Sequence, residues 1–321
     1  MPLLERGGKH TKLYANIMLL TVAIIWGSTL VVMKATTDTI NPTLLIAMRF
    51  LMAGVVLGVL FFRKLLVIKR GELIGGLVIG VLLFFAHAVQ TIGVTDAKGD
   101  AGRSGFLGAA YCIIVPFIYW AFERVRPDRY NIMAAVLCIA GIGLISFGGA
   151  PTLDLNPDAG LLGFTMADTL ALGSAFFFAA SIVAIDKYTK NQDAITITIL
   201  QFFFAGIFAA IATLIREPAA VQNALWSDAL WGAVLYLGLV ATAFALLLQN
   251  VAQTHTDANS AAIILGTESI FCVLFGVAFN AEPMSMVLLW GFVLIFAAIL
   301  ISETKLSFLR RRNKENSPSV G

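Results

Sequence analysis

The feature that most constrains this chain is a succession of apolar runs, the first of them IMLLTVAIIWGSTLVVM at 17–33. Runs of this kind recur ten times, near 14–36, 42–62, 72–94, 102–122, 130–148, 167–187, 194–215, 228–251, 258–280 and 284–303. About 20 apolar residues in helical form cross the hydrocarbon core of a bilayer. In lipid, a helix satisfies its backbone polar groups within itself, so each run is expected to be helical. The chain is 59% hydrophobic and 13% charged, well below the roughly 25% charged residues of a soluble domain. An all-α integral membrane protein with ten transmembrane helices is therefore expected. The first run is too long for a signal-peptide core and lacks a small-residue cleavage site, so it reads as a span.

Ten crossings put both termini on one side, and the basic residues indicate which. With the termini cytoplasmic, the inner segments carry Arg6, Lys9, Lys12, Arg63, Lys64, Lys69, Arg70, Arg124, Arg126, Arg129, Lys187, Lys190, Lys305, Arg310, Arg311, Arg312 and Lys314, which is 17 of the 22 Lys and Arg residues. The outer loops carry Lys98, Arg103 and Arg216, while Lys34 and Arg49 lie within spans. This is the positive-inside bias. It accounts for the net charge of +3 without invoking nucleic acid.

The chain also repeats. WGSTLVVMK at 26–34 overlies AASIVAIDK at 179–187 at an offset of 153, RFLMAG at 49–54 overlies QFFFAG at 201–206 at 152, and Gln90 with Glu123 overlies Gln249 with Glu282 at 159. Two five-span halves are expected, at 14–148 and 167–303, joined by an acidic linker at 149–166 and followed by a basic tail at 304–321. Five is odd, so the second half enters the membrane inverted relative to the first.

IIWGSTLVVMK, MRFLMAG, SGFLGAAYCIIVP, LLLQNVAQTHTDANSAAIIL and the two helix-end glutamates together resemble the bacterial EamA-type drug/metabolite transporters, over residues 15 to 303. The resemblance implies a ten-helix carrier of the inner membrane, usually an exporter of amino acids or related metabolites, with a central cavity between the halves. In that family the ninth span often carries Glu followed by Pro. Here Glu268 is followed by Ser269, so an unbroken helix with its backbone hydrogen bonds intact is expected at this point.

Charges within spans are costly and mark function. Arg49 lies roughly 10 Å below the outer end of span two and Glu268 roughly 16 Å above the inner end of span nine, at 1.5 Å per residue. The two are then at similar depth, either as a static arginine–carboxylate clamp or as cavity groups that bind substrate or exchange a proton. Neither charge recurs in the other half, since Arg49 falls on Gln201 and Glu268 on Ala109. Trp26, His87, Gln90, Tyr111 and Gln249, beside Asn250, suit the polar points and aromatic walls of a metabolite cavity, and Gln201 joins them as the counterpart of Arg49. For each of these, helix–helix hydrogen bonding is the plainer reading. Lys34 and Asp38 are gate candidates, with Lys34 snorkelling to the headgroups as the alternative. The glycine pairs 54/58 and 76/80 permit close helix approach, which leaves monomer or homodimer open.

No HExxH, G-x-S-x-G or phosphate loop occurs, and His10, His87 and His255 are too scattered for a metal site. Cys112, Cys138 and Cys272 lie in apolar runs without metal-like spacing. An enzyme, a resident metal and a cofactor are therefore not expected. The expected function is secondary active transport of a small polar metabolite, outward by resemblance, by alternating access, with proton coupling through Glu268 an open option. A passive channel is the rival, and it would need a continuous polar lining.

Overall fold

The computed structural model describes residues 9–36, 38–95, 101–124, 126–147, 165–280 and 286–304. Among the described residues the regular structure is helical throughout. The helices are α1 (Lys9–Lys34), α2 (Pro42–Leu60), α3 (Phe62–Leu65), α4 (Arg70–Thr95), α5 (Ala101–Gly108), α6 (Tyr111–Glu123), α7 (Arg129–Phe147), α8 (Met166–Thr189), α9 (Ala194–Arg216), α10 (Ala220–Asn223) and α11 (Asp228–Leu235). A π-helical segment at Tyr236–Phe244 follows, then α12 (Ala245–Gln253), α13 (Ala258–Gly266), α14 (Glu268–Asn280) and α15 (Met286–Thr304). Six helical stretches are long and apolar enough to cross a membrane: Thr11–Lys34, Pro42–Leu60, Arg70–Val94, Met166–Thr189, Ala194–Arg216 and Asp228–Gln253. Most of the expected linker, the tail from residue 305 and Glu282 lie outside the described residues.

Local chemistry sets where helices begin. Asn41 caps α2, its Oδ1 accepting from the Thr43 and Leu44 backbone N–H groups at 3.0 and 3.3 Å, and Pro42 occupies the first turn, where no intrahelical N–H is needed. Thr165 and Asp168 form a capping box on α8. Asp193, Ser227 and Asp257 cap α9, α11 and α13. Between the caps, large side chains such as Val59, Ile139 and Ile215 stand exposed, as befits faces turned to hydrocarbon.

Two of the ten expected spans are broken. The fourth, expected as one helix over 102–122, is α5 and α6 with a joint at Ala109–Ala110. Pro116 lies beyond the joint, inside α6, where the carbonyl it leaves without a donor is that of Cys112. The chain tightens at the joint into three-residue turns, with the Ala110 N–H on the Leu107 carbonyl at 3.1 Å and the Ile113 N–H on the Ala110 carbonyl at 3.0 Å.

The ninth span departs from the unbroken helix expected from its lack of proline: it is interrupted at Thr267, between α13 and α14. Two side-chain hydroxyls bond carbonyls at the interruption. Thr267 donates to the Ile264 carbonyl at 2.6 Å and Ser269 to the Gly266 carbonyl at 2.8 Å. Such bonds offer backbone groups a partner outside the α-helical ladder, which makes a break tolerable in lipid.

The helices pack with a regular pattern. α4 lies against α8 and α9, α2 against α9, α7 against α15, α1 against α14 and α12, and α5 against α14 and α8. Glycine makes the closest of these crossings. Gly76 and Gly80 meet Leu200, Gln201 and Phe204 on α9, and Gly54 and Gly58 face Phe203 on the same helix. Both glycine pairs are thus used within the chain.

Candidate functional site

The two breaks meet at the centre of the molecule. Tyr111 opens α6 and Glu268 opens α14, and both line one small cavity with Trp26, Thr29 and Leu30 of α1, Arg49 of α2, His87 and Gln90 of α4, Phe178 of α8 and Cys272 of α14. Its volume is about 30 Å³, room for a water molecule or two. The cavity is closed down around its lining.

Arg49 is 2% exposed. Its Nε donates to Thr242 Oγ1 at 2.9 Å, and Nη1 approaches Met33 Sδ at 3.8 Å. These contacts engage two of the five guanidinium N–H groups. The π-helical segment makes the first possible, because Thr242 Oγ1 itself donates to the Leu237 carbonyl five residues back at 2.7 Å. Just before it, the Ala241 carbonyl accepts from Trp26 Nε1 at 3.0 Å. One turn of irregular helix thus fixes both an arginine and a tryptophan of the cavity wall.

Neither Arg49 nor Glu268 takes part in an ion pair among the described residues. They share the cavity without clamping each other. Glu268 is half-buried, with the Tyr111 hydroxyl beside it but outside hydrogen-bond geometry. His87 lies edge-on to Phe50 and Phe178, each at 5.1 Å between ring centroids, and both its ring nitrogens are buried without a protein partner. A buried polar atom with no partner normally costs 1–3 kcal/mol. Several such groups around one cavity mark a place where a ligand or water completes the bonding.

Of the residues singled out from sequence, Trp26, Arg49, His87, Gln90, Tyr111 and Glu268 meet at this cavity. Gln201 and Gln249 do not. They belong to a buried amide cluster on α9 and α12, where Asn250 Nδ2 donates to Gln201 Oε1 at 3.0 Å and to Thr198 Oγ1 at 2.8 Å. There Gln249 donates to Gln253 Oε1 at 3.0 Å, and Gln253 donates to the Ile182 carbonyl at 3.1 Å. Lys34 ends α1 and Asp38 stands exposed in the turn beyond. Thr29, Phe178, Cys272 and Thr242 were not anticipated. Only Thr242 left a signal, as a hydroxyl in the apolar run that a buried arginine needs for a partner.

A helical membrane protein with charged, unpaired side chains around a closed central cavity is built as a membrane transporter. The EamA-like transporter family matches at residues 13–147 and again at 165–304, and the chain belongs to that family. It is 30% identical over 302 residues to an "uncharacterized transporter" of Archaeoglobus fulgidus, covering 92% of this chain and 89% of the relative. It is 26% identical over 301 residues to the "uncharacterized inner membrane transporter YedA" of Escherichia coli K12, covering 90% and 91%. A crystal structure aligns with a TM-score of 0.66 over 94% of this chain and 98% of its own, at 16% identity, which concerns the fold alone.

Proposed function

We propose that this chain is a secondary transporter of the inner membrane that exports a small zwitterionic metabolite, an amino acid or a related compound, by alternating access between two inverted five-helix repeats. The observation that carries the reading is the pair of opposite charges on one cavity, Arg49 and Glu268, with no ion pair to engage either. A buried charge left without a partner is strongly unfavourable. A ligand bearing a carboxylate and an ammonium answers both at once, the carboxylate on the free N–H groups of Arg49 and the ammonium on Glu268. When the ligand leaves, a proton on Glu268 serves in place of the ammonium, which couples flux to the pH gradient.

The repeat reading draws support from the packing. Exchanging the halves turns the α4–α8 contact into α1–α12 and the α1–α14 contact into the one between α8 and the α5/α6 span, and all are present. The broken spans four and nine are counterparts as well, both termini are cytoplasmic by the Lys/Arg bias, and outward transport follows the family resemblance. The closed cavity favours a carrier over a channel, since a substrate enters only when the halves part.

Proteoliposome counterflow with a panel of labelled amino acids tests this. Arg49→Gln is expected to weaken carboxylate-bearing substrates by more than about 2 kcal/mol, or roughly 30-fold. Glu268→Gln is expected to abolish the pH-gradient dependence of flux and, because it removes the partner of the ammonium, to weaken substrate in exchange as well. Gradient dependence unchanged in that variant refutes the proton role, and unsaturable flux without counterflow refutes the carrier.

A further inference from the structure

We propose that a groove between α1, α11 and α14 is a binding site for one acyl chain of a membrane phospholipid, seated in the leaflet on the Thr39 side. The groove is separate from the central cavity and far larger, about 730 Å³. Val31, Val32, Leu230 and Phe275 form its walls. Its shallow end holds Thr39 and Ser227, a level fixed by the Leu225 N–H on the Thr39 carbonyl at 2.8 Å. Its deep end is closed by Ser28 and Tyr236, whose hydroxyls are 2.5 Å apart.

Length, end chemistry and surroundings agree on the occupant. From Ser227 to Tyr236 the helix descends about 14 Å at 1.5 Å per residue, close to half of a ~30 Å hydrocarbon core. The groove therefore runs from the interface to near the midplane, the depth of one leaflet's chains. Trp226, next in the chain to Ser227, stacks on Trp231 at 5.1 Å, and the two are 40% and 46% exposed, as in an interfacial aromatic belt.

At its foot the polar groups are already satisfied. Ser28 donates to the Ile25 carbonyl at 2.8 Å, which leaves its oxygen to accept from Tyr236. The methyl end of a chain meets a closed hydroxyl pair and no open donor. An empty apolar groove at this depth forfeits the dispersion contacts of its lining, and water has too few partners along the walls to replace them. The Ser28–Tyr236 contact also joins α1 to the start of the π-helical segment that holds Arg49, so the chain abuts an element of the transport site without entering it.

Gly232 gives the test its handle. It lines the groove, and a Cβ added there meets nothing within 4 Å, so Gly232→Trp introduces a bulky side chain from an open position of the lining. Native mass spectrometry of the full-length protein, titrated with phosphatidylcholine, is expected to find one tightly held lipid in the parent protein. That lipid should bind at least tenfold more weakly in Gly232→Trp, and unchanged in Val59→Trp, a substitution on another exposed lipid-facing position. In the parent protein, binding is expected to rise with acyl length and then level off.

Equal lipid retention in the parent and Gly232→Trp overturns the proposal. So does binding independent of acyl length, a measurement that needs no variant. If Gly232→Trp instead dissociates a dimer and leaves lipid bound, the groove is an interface between copies and the proposal falls. The proposal rests on embedding in the membrane and not on the substrate reading, so loss of transport in Arg49 or Glu268 variants leaves it standing.

Discussion

Thr242→Val removes one hydroxyl at nearly constant shape, from a residue with no exposed surface. Two hydrogen bonds go with it, the one accepted from Arg49 Nε at 2.9 Å and the one donated to the Leu237 carbonyl at 2.7 Å. A bond to a charged group contributes about 1.5–3 kcal/mol and a neutral one about 0.5–1.5 kcal/mol, so the expected loss is about 2–4.5 kcal/mol. Thr242→Ser keeps both bonds and loses a methyl group, which costs about 1 kcal/mol.

The measurement is unfolding of the purified protein in mixed micelles, followed by fluorescence. Arg49→Met with Thr242→Val supplies the decisive comparison. With both partners apolar no guanidinium is left short of its acceptor, so the double variant is expected to be more stable than the sum of the single losses by about 1.5 kcal/mol or more. Strict additivity, or a Thr242→Ser loss equal to that of Thr242→Val, refutes the reasoning that this hydroxyl holds the guanidinium.

Packing and pH give two further tests. Gly80→Ala places its Cβ 2.7 Å from Phe204 Cβ and 2.9 Å from the Gln201 carbonyl, whereas at Gly58 the nearest atom is a flexible Leu65 methyl at 3.6 Å. The first is expected to cost about 1–3 kcal/mol and the second to be close to neutral in the same unfolding assay; equal effects refute the close approach of α4 to α9. At the start of α9, burial pushes the Asp193 carboxyl up, but the Lys64 ion pair and the Thr196 backbone and hydroxyl bonds outweigh it, so its pKa falls below the ordinary aspartate value. A depressed pKa means stability that is complete above the unfolded value and lost as the pH falls through the folded one. Asp193→Asn keeps the cap and gives up the ion pair, so its penalty is expected to be at most about 1 kcal/mol near neutrality and to vanish once the pH has fallen through the depressed folded pKa. A penalty that persists there refutes the ionic contribution.

Six of the expected spans were legible because lipid leaves only helices available and because about 20 apolar residues is a strong signal. Most of the cavity wall was legible for a related reason: Arg49, Glu268, His87 and Gln90 are expensive in hydrocarbon, so their presence needed an explanation, and the cavity supplies one. What could not be read was what three-dimensional closure decides. Gln249 and Gln90 are equivalent by sequence, yet Gln249 bonds to Gln253 while Gln90 faces the cavity. Phe178 lines the site from a run of three phenylalanines that periodicity alone does not separate. The break at Thr267 was hidden because no proline marks it, and the Thr267 and Ser269 hydroxyls that bond carbonyls there look ordinary in an apolar run.

The unequal fates of equivalent residues bear on how the proposed cycle runs. In the first half, Arg49 and Gln90 turn toward the cavity; at the corresponding positions of the second half, Gln201 and Gln249 are held by Asn250 and Gln253. Each of those amide bonds contributes only about 1 kcal/mol net, so a few of them can act as a seal in the proposed cycle and still be broken on the microsecond-to-millisecond scale of carrier motion. Gln201 Nε2, Gln249 Oε1 and Asn250 Oδ1 remain without protein partners even in the closed cluster, which lowers the cost of wetting it when the halves part. Arg49 and Glu268 are placed differently: no exchange of neutral amide bonds answers a buried charge, and only a charged ligand or a proton does. The half-specific charges therefore suit cargo recognition, and the neutral amides suit a seal that must open and close.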